Sequence, residues 1–244
     1  MKPKEILNTT HHRPWDIPKG HWKFYQEWNK AIFLHWQVDI KGLEKFVPNE
    51  LEIDTYSGSP WISLVAFKMQ NIRPRLLPSF PPISNFDEIN IRTYVKAKNK
   101  TGVYFLSIEG SKRLSCTVAK SLSALPYSYS SMQSSGTRFI ANNIQYDDEF
   151  DLTFKIGNSL ENKSDLDLWL TERYALFQDT PHSINEFEIH HLEWKINELD
   201  LLTSKIEYSR FSNLLKGPPL LTHYSPGVKV LAWGKKKYTK EEFL

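Results

Sequence analysis

The chain has 244 residues, a formal net charge of +3, 40% hydrophobic residues and 24% charged residues. These ordinary values exclude a disordered or collagen-like chain, and the aromatic content of 14% favours strands or a pocket lined by rings. The length fits one large core, so we expect a single domain over residues 1–244, with residues 1–12 and 235–244 as flexible tails.

Composition also argues against several classes of partner. No stretch reaches the ~20 apolar residues of a membrane span, and the first ten residues lack the apolar segment of a signal peptide, so we expect a cytosolic protein without a membrane partner. Basic residues are dispersed except for residues 235–237, which we interpret as a solvated tail and not as a nucleic-acid site. The single cysteine, Cys116, excludes an internal disulfide and is interpreted as a small buried residue.

The first third of the chain alternates apolar and polar residues, as strands do. This alternation predicts a strand over residues 22–38. Asp39 is then expected to cap a short helix that Pro48 ends. A hairpin follows, with strands over residues 51–56 and 61–69.

The middle of the chain begins with an irregular stretch. Residues 71–87 contain four prolines and are expected to form a lid or binding loop. A second hairpin is predicted over residues 89–98 and 103–109. The spacing then lengthens, which predicts a helix over residues 111–124 with an apolar stripe of Leu114, Val118 and Leu122.

The last third again shows the alternation of apolar and polar residues that is typical of strands. We predict strands over residues 137–144, 150–156, 174–177, 186–196 and 228–233, and a short helix over residues 164–170 capped by Ser164. The fold class is therefore mainly β: a curved antiparallel β-barrel or closed sheet with two or three short helices, which normally encloses a cavity.

Standard catalytic signatures are missing from the sequence. There is no glycine-rich phosphate loop, nucleophile elbow or HExxH motif, and no cofactor is expected. A metal site from His35, His223 and one of His190 or His191 is conceivable, but no spacing supports it. We therefore interpret these residues as hydrogen-bonded structural histidines and predict no metal. Adjacent strand residues point to opposite faces, so His190 and His191 cannot both face one cavity unless a bulge intervenes.

Two charged clusters lie within or next to predicted strands. Glu88, Asn90 and Arg92 share one face of a strand, and Glu172 and Arg173 come directly before another. Such groups are either solvated ion pairs or polar groups that project into a cavity, and the sequence leaves both readings open.

Short motifs over nearly the whole chain resemble the YqjF-like family of uncharacterised proteins, within the acetoacetate decarboxylase-like superfamily. The opening elements at residues 20–24 and 46–54 resemble the decarboxylase itself. The YqjF-like motifs are Arg13-Pro14-Trp15, His35-Trp36, residues 90–95, residues 102–105, Leu125-Pro126-Tyr127, residues 170–174, His190-His191 and residues 225–228. The resemblance implies a curved antiparallel barrel around a hydrophobic pocket.

In acetoacetate decarboxylase, a pocket lysine that follows a proline forms a Schiff base with a β-keto acid. The matching element here is Pro126-Tyr127-Ser128. Tyrosine forms no imine, so the resemblance implies that acetoacetate decarboxylase activity is absent. One pocket carboxylate of the decarboxylase falls near Glu88, and the other corresponds to Ser63. Lys120 lies off the apolar stripe of its helix and is interpreted as solvated surface, not as a displaced catalytic lysine.

Two functions remain open from the sequence. The first is a lyase, isomerase or cyclase that acts without a Schiff base on a small or aromatic carbonyl or carboxylate compound. Glu88 would be its acid or base, and Tyr127 would polarise an oxygen. The second is a non-catalytic protein that binds such a small molecule. The sequence also leaves open whether the protein forms a homo-oligomer. The predicted ligand-binding residues are Arg92, Asn90, His35, Tyr129, Arg173 and His191.

Overall fold

The structure is a computed structural model, and it describes residues 2–243. Its α-helices are α1 (Pro3–Leu7), α2 (Ile40–Leu43), α3 (Pro81–Ser84), α4 (Arg113–Ser123) and α5 (Asp165–Thr171), with 3-10 turns at Ser209–Phe211 and Lys240–Phe243. The strands are β1 (Phe24–Gln37), β2 (Glu52–Ile53), β3 (Thr55–Tyr56), β4 (Ser59–Pro74), β5 (Phe86–Ala97), β6 (Lys100–Gly110), β7 (Tyr127–Tyr129), β8 (Ser131–Ser134), β9 (Arg138–Asn143), β10 (Asp148–Ser159), β11 (Ala175–Thr180), β12 (Ser183–His190), β13 (Asn197–Glu207), β14 (Leu221–Ala232) and β15 (Lys236–Thr239).

The strands form one sheet that closes on itself. The order β12-β11-β6-β5-β4-β1-β14 becomes a ring because β12 also pairs with β14, while β13, β10, β9 and β8 continue outward from β14. The prediction of a mainly β, closed sheet is therefore confirmed. The sheet is mixed and not antiparallel throughout, since β6 pairs in parallel with both β7 and β11.

Strand β1 is central to the closed sheet and pairs with β4 and β14. Its register against β4 shifts between Asn29 and Ile32, and such bulges bend a strand, as a closed sheet requires. Residues 31–36 are all buried because both faces of the sheet are covered. After β1, Asp39 caps α2 as predicted, and its carboxylate accepts a hydrogen bond of 2.9 Å from the amide of Gly42.

Two apolar clusters cover the two faces of the sheet. Ile32 and Leu34 belong to the larger cluster, and Phe33 belongs to the other. This alternation follows from the two-residue period of a strand. Met69 and Trp194 also belong to the second cluster, and they line the cavity described below.

Helix α4 has the predicted extent but not the predicted buried face. Leu114 is 57% exposed, whereas Ser115 and Cys116 are buried. The helix lies close to the sheet at Gly110, where an added Cβ would come within 2.7 Å of the Cys116 sulfur. Small side chains therefore face the sheet. The prediction that Cys116 is a small buried residue is confirmed.

Other differences from the prediction concern the ends and the proline-rich stretch. Strand β4 continues to Pro74, and β12 ends at His190, before the predicted end at residue 196. Strands β7, β8, β13 and β15 were not predicted. The ends of the chain are not free tails: Ile6 of α1 is fully buried, and β15 pairs with β12. Residues 1 and 244 lie outside the described residues. No helix among residues 2–243 has the length and apolar character to cross a membrane.

Candidate functional site

A cavity of about 220 Å³ lies against the face of the sheet that carries the second apolar cluster. Its lining is largely apolar and aromatic, and includes Phe24, Trp28, Met69, Val103, Phe105, Leu122, Leu125, Leu176, Phe187, Ile189 and Trp194. A small set of polar side chains also reaches it, among them Glu88, Arg92, Tyr127, Arg173 and His191. An apolar lining with a few convergent polar groups is typical of small-molecule sites.

Among the polar contacts at the cavity, the one between Glu88 and Tyr127 bears most directly on proton transfer. Glu88 lies on β5, and Tyr127 begins β7, beside β6. The hydroxyl of Tyr127 donates to Oε2 of Glu88 at 2.8 Å, and Asn90 donates to Oε1 at 3.3 Å. Burial raises the pKa of Glu88 to about 7, although the two hydrogen bonds act in the opposite direction. A carboxyl group with this pKa can both accept and donate a proton near neutral pH.

Two guanidinium groups supply positive charge to the cavity. Arg173 pairs with the buried carboxylate of Asp54 at 2.7 Å, and its Nη2 has no hydrogen-bond partner. Arg92 is 8% exposed, its Nε has no partner, and its Nη2 makes one long bond of 3.4 Å to the carbonyl oxygen of Leu170. None of the ion pairs found among residues 2–243 includes Arg92. A buried cation without a carboxylate favours an anionic ligand in this cavity.

His191 forms part of an aromatic wall. Its ring lies 4.9 Å from that of Tyr174 and 5.6 Å from that of Trp194, measured between centroids. Burial lowers the pKa of His191 to about 4, so this ring is neutral at pH 7. His190, in contrast, contacts the carbonyl oxygen of Ile6 and does not line the cavity. The two adjacent histidines therefore face different surroundings, as the strand argument predicted.

Three residues predicted to bind the ligand do not line the cavity. Asn90 is buried beside it and holds Glu88. Tyr129 lies outside, with the Arg113 guanidinium 4.0 Å from its ring centre. His35 is fully buried within a chain of polar side chains.

That chain runs through polar residues of five elements, α5, β14, β1, β4 and β5. Asp167 contacts Nε2 of His223 at 2.9 Å, and Nδ1 of His223 lies 3.2 Å from Nε2 of His35. Nδ1 of His35 lies 2.6 Å from the hydroxyl of Ser63, which lies 2.5 Å from that of Tyr94. Burial holds the pKa of His35 well below its usual value, so the ring is neutral. Ser63, which the sequence resemblance predicts to match a decarboxylase carboxylate, thus belongs to this chain and not to the cavity wall.

A metal site needs several ligating side chains together, and an imine needs a desolvated lysine in the cavity. Among residues 2–243, no group of three or more His, Cys, Asp or Glu side chains is arranged to hold a metal ion. Lys120 is exposed on α4 and does not line the cavity. Lys235 reaches the rim of the cavity but is itself exposed. The desolvated setting that activates a Schiff-base lysine is thus missing at both positions.

Comparison with known proteins places the chain in a family. Residues 25–229 match the DUF2071 family, described as an uncharacterized conserved protein. The chain belongs to this family. It is also 34% identical over 241 residues to the uncharacterized protein YqjF of Bacillus subtilis (strain 168), with 91% of this chain and 96% of that protein covered. The predicted YqjF-like membership is therefore confirmed.

Solved structures with the same fold include acetoacetate decarboxylase-like enzymes and an enduracididine biosynthesis enzyme. An acetoacetate decarboxylase-like enzyme from Sphingomonas wittichii RW1 aligns with a TM-score of 0.62 at 13% identity, over 90% of this chain and 94% of that chain. The enduracididine biosynthesis enzyme MppR, solved in complex with pyruvate, aligns with a TM-score of 0.59 at 12% identity, over 92% and 93% of the two chains. At these identities the likeness shows the fold alone.

Some residues of the cavity wall were not identified from the sequence. Trp28 and Trp194 stack with their ring centroids 6.2 Å apart. The alternation in β1 could have placed Trp28 on the same face as Phe24 and Gln26, which also line the cavity. Trp194 lies outside any strand, so no periodic pattern indicates where its ring lies.

Proposed function

We propose that this protein is an enzyme that moves a proton at the carbon next to a carbonyl group of a small carboxylate compound, without a Schiff base. The observation that carries the proposal is the 2.8 Å hydrogen bond from Tyr127 to Glu88 at the wall of an apolar cavity. The pKa of Glu88, raised to about 7 by burial, suits proton transfer near neutral pH.

Three polar residues of the cavity, Glu88, Arg92 and Tyr127, have roles in this reaction. Arg92 binds the substrate carboxylate, since its guanidinium is buried without an anionic partner. The ionised Glu88 takes the proton from the α-carbon. The electron pair of the broken C–H bond forms a carbon–carbon double bond, and the carbonyl π electrons move to oxygen as an enolate.

Tyr127 stabilises that oxygen at the moment when charge develops on it. While Glu88 is ionised, the Tyr127 hydroxyl donates to it. Once Glu88 has accepted the proton, it is neutral and gains less from the Tyr127 hydrogen bond. The hydroxyl can then donate to the enolate oxygen. Return of the proton to a different carbon completes an isomerisation, and departure of a group from the next carbon completes an elimination.

A structural neighbour supports the choice of substrate class. The MppR structure contains pyruvate, a small 2-oxo acid with both groups that the proposal requires. Pyruvate and phenylpyruvate are therefore suitable probes, and the aromatic wall around Trp194 favours the second.

Exchange of α-protons for deuterium tests the proposal without knowledge of the product. Pyruvate and phenylpyruvate are incubated with the protein in D₂O, and loss of the α-proton signals is followed by NMR. Wild-type protein is expected to accelerate exchange, and Glu88→Gln to remove the acceleration. The matched control is Glu44→Gln, at an exposed position away from the cavity. Equal exchange by Glu88→Gln and wild type would refute the role of Glu88.

A non-catalytic binding protein is the second candidate, supported by the largely apolar lining of the cavity. Such a protein would be stabilised against heat by phenylpyruvate, because a ligand that binds only the native state raises the melting temperature. It would leave the exchange rate at the uncatalysed value. Thermal shift and exchange measured on the same samples therefore separate the two functions.

A further inference from the structure

An apolar groove of about 410 Å³ lies between α4 and the proline-rich stretch that joins β4 to β5. Its walls are almost entirely hydrophobic. The lining residues found in the groove and not in the cavity include Ile72, Leu77, Phe80, Ile83 and Val118. Polar atoms come mainly from a few serines and Gln26, so the groove offers no charge to a ligand.

The groove lies next to the cavity, on the side of Tyr127. The residues that line both spaces are Phe24, Gln26, Met69, Leu122, Ser123, Leu125 and Tyr127. The cavity with its polar groups and the apolar groove are thus neighbouring spaces that share one wall. The cavity alone, at about 220 Å³, is smaller than the roughly 300–1,000 Å³ of most ligand pockets. The site reaches that size only when the groove is included.

Large apolar side chains are left in contact with water along this groove. Leu122 and Phe80 are each 62% exposed, and Leu77 is 59% exposed. Single exposed apolar residues are common, but three along one groove form a patch that a ligand would cover favourably. The outward direction of Leu122 on α4 has its explanation here, because Val118 and Leu122 form part of one wall of the groove.

We propose that the ligand is amphipathic, with a carboxylate or carbonyl head in the cavity and an unbranched apolar tail in the groove. The tail leaves the cavity past Met69 and Leu122, which border both spaces. The proposal rests on the proposed function for the position of the head at Arg92 and Tyr127. It adds the substrate class: unbranched acyl chains of medium length that carry both an acid group and an oxo group.

The occupant of the groove follows from the wall that it shares with the cavity. An apolar chain whose carboxylate is bound at Arg92 can reach an apolar surface in the adjacent groove, past the shared residues Met69 and Leu122. Phe80 and Leu77 lie on the proline-rich stretch, whose prolines limit backbone freedom and hold the outer wall in place.

A series of saturated fatty acids from butyrate to decanoate, titrated by calorimetry below their critical micelle concentrations, tests the proposal. The dissociation constant is expected to fall about fourfold per added methylene until the groove is filled. Leu122→Asp is expected to remove this dependence, so that decanoate binds about as weakly as hexanoate. Because Leu122 is exposed, the variant should fold.

The matched control is Leu114→Asp on the same helix. Leu114 is 57% exposed and lines neither the groove nor the cavity, so this variant should keep the full chain-length dependence. The proposal is overturned if affinity does not rise with chain length, or if Leu122→Asp and Leu114→Asp behave alike. If only the proposed function is wrong, the result is different. The protein would then not accelerate α-proton exchange, but the dissociation constants of the fatty acids would still fall with chain length.

Discussion

The hydroxyl of Tyr127, the residue that the sequence resemblance predicts to replace the Schiff-base lysine of acetoacetate decarboxylase, lies 2.8 Å from Oε2 of Glu88. A phenol forms no imine, but it donates a hydrogen bond, and the buried carboxyl group beside it has a pKa of about 7. In the proposed function, the pair would activate a carbonyl by proton transfer and hydrogen bonding and not through a covalent imine.

Tyr127→Phe should raise the pKa of Glu88 above about 7. The hydrogen bond from Tyr127 stabilises the ionised carboxylate, and a hydrogen bond to a charged group contributes about 1.5–3 kcal/mol, or ~1–2 pKa units. Titration of ¹³C-labelled glutamate by NMR measures the change. Tyr129→Phe, outside the cavity, is the control and should leave the titration unaltered. A Glu88 titration that is the same in wild type and Tyr127→Phe would contradict the pairing.

Glu88→Gln should stabilise the free protein above neutral pH. The folded pKa of about 7 exceeds the usual 4.5, so the folded state binds more protons than the unfolded state between these values. Stability from this group is therefore present at low pH and is lost as pH rises through 7. The loss amounts to about 3 kcal/mol at pH 8 and is absent in the glutamine variant. Denaturant unfolding of both proteins at pH 5 and pH 8 measures it, and an equal pH dependence of the two proteins would count against the raised pKa.

Arg92→Met should weaken carboxylate binding and stabilise the free protein. The variant removes a buried cation that has no carboxylate partner, and Tyr94 still donates to the Leu170 carbonyl at 2.9 Å. We expect the free energy of unfolding to rise by ~1–3 kcal/mol and the affinity for pyruvate to fall at least tenfold. Arg113→Met, outside the cavity, should change neither. Unfolding in denaturant and calorimetric titration check the two effects, and a destabilised variant would argue for an ion pair at Arg92.

His191→Asn should make the protein less sensitive to acid. Burial lowers the pKa of His191 to about 4, so the unfolded state binds more protons between this value and the usual 6.5. Stability from the neutral ring is thus lost as pH falls from 6.5 to 4, by about 3 kcal/mol in total. Asparagine keeps a donor for the Leu192 carbonyl, which Nδ1 of His191 contacts at 2.7 Å. Unfolding free energies at pH 7 and pH 4.5 should therefore differ less in the variant. A difference as large as that of wild type would mean that His191 does not account for the acid sensitivity.

The closed sheet could be predicted from the sequence because alternation reports which residues share a face. The same rule placed Glu88 and Arg92 together, and both line the cavity. The sequence could not show that His35 belongs to a buried chain with His223, because partners 188 residues apart leave no local pattern. Leu122 was assigned to an apolar stripe, but only the structure shows that α4 packs on the sheet at Gly110 through Cys116, while Val118 and Leu122 line the groove.

The pH dependence of α-proton exchange, measured with phenylpyruvate in D₂O, tests the central claim most directly. If Glu88 is the base, the rate should rise about tenfold per pH unit at low pH and level off near pH 7, where its carboxyl group becomes ionised. Glu88→Gln should show only the uncatalysed rate at every pH. A wild-type rate that is flat from pH 5.5 to 8.5, or a profile retained in Glu88→Gln, would contradict the account.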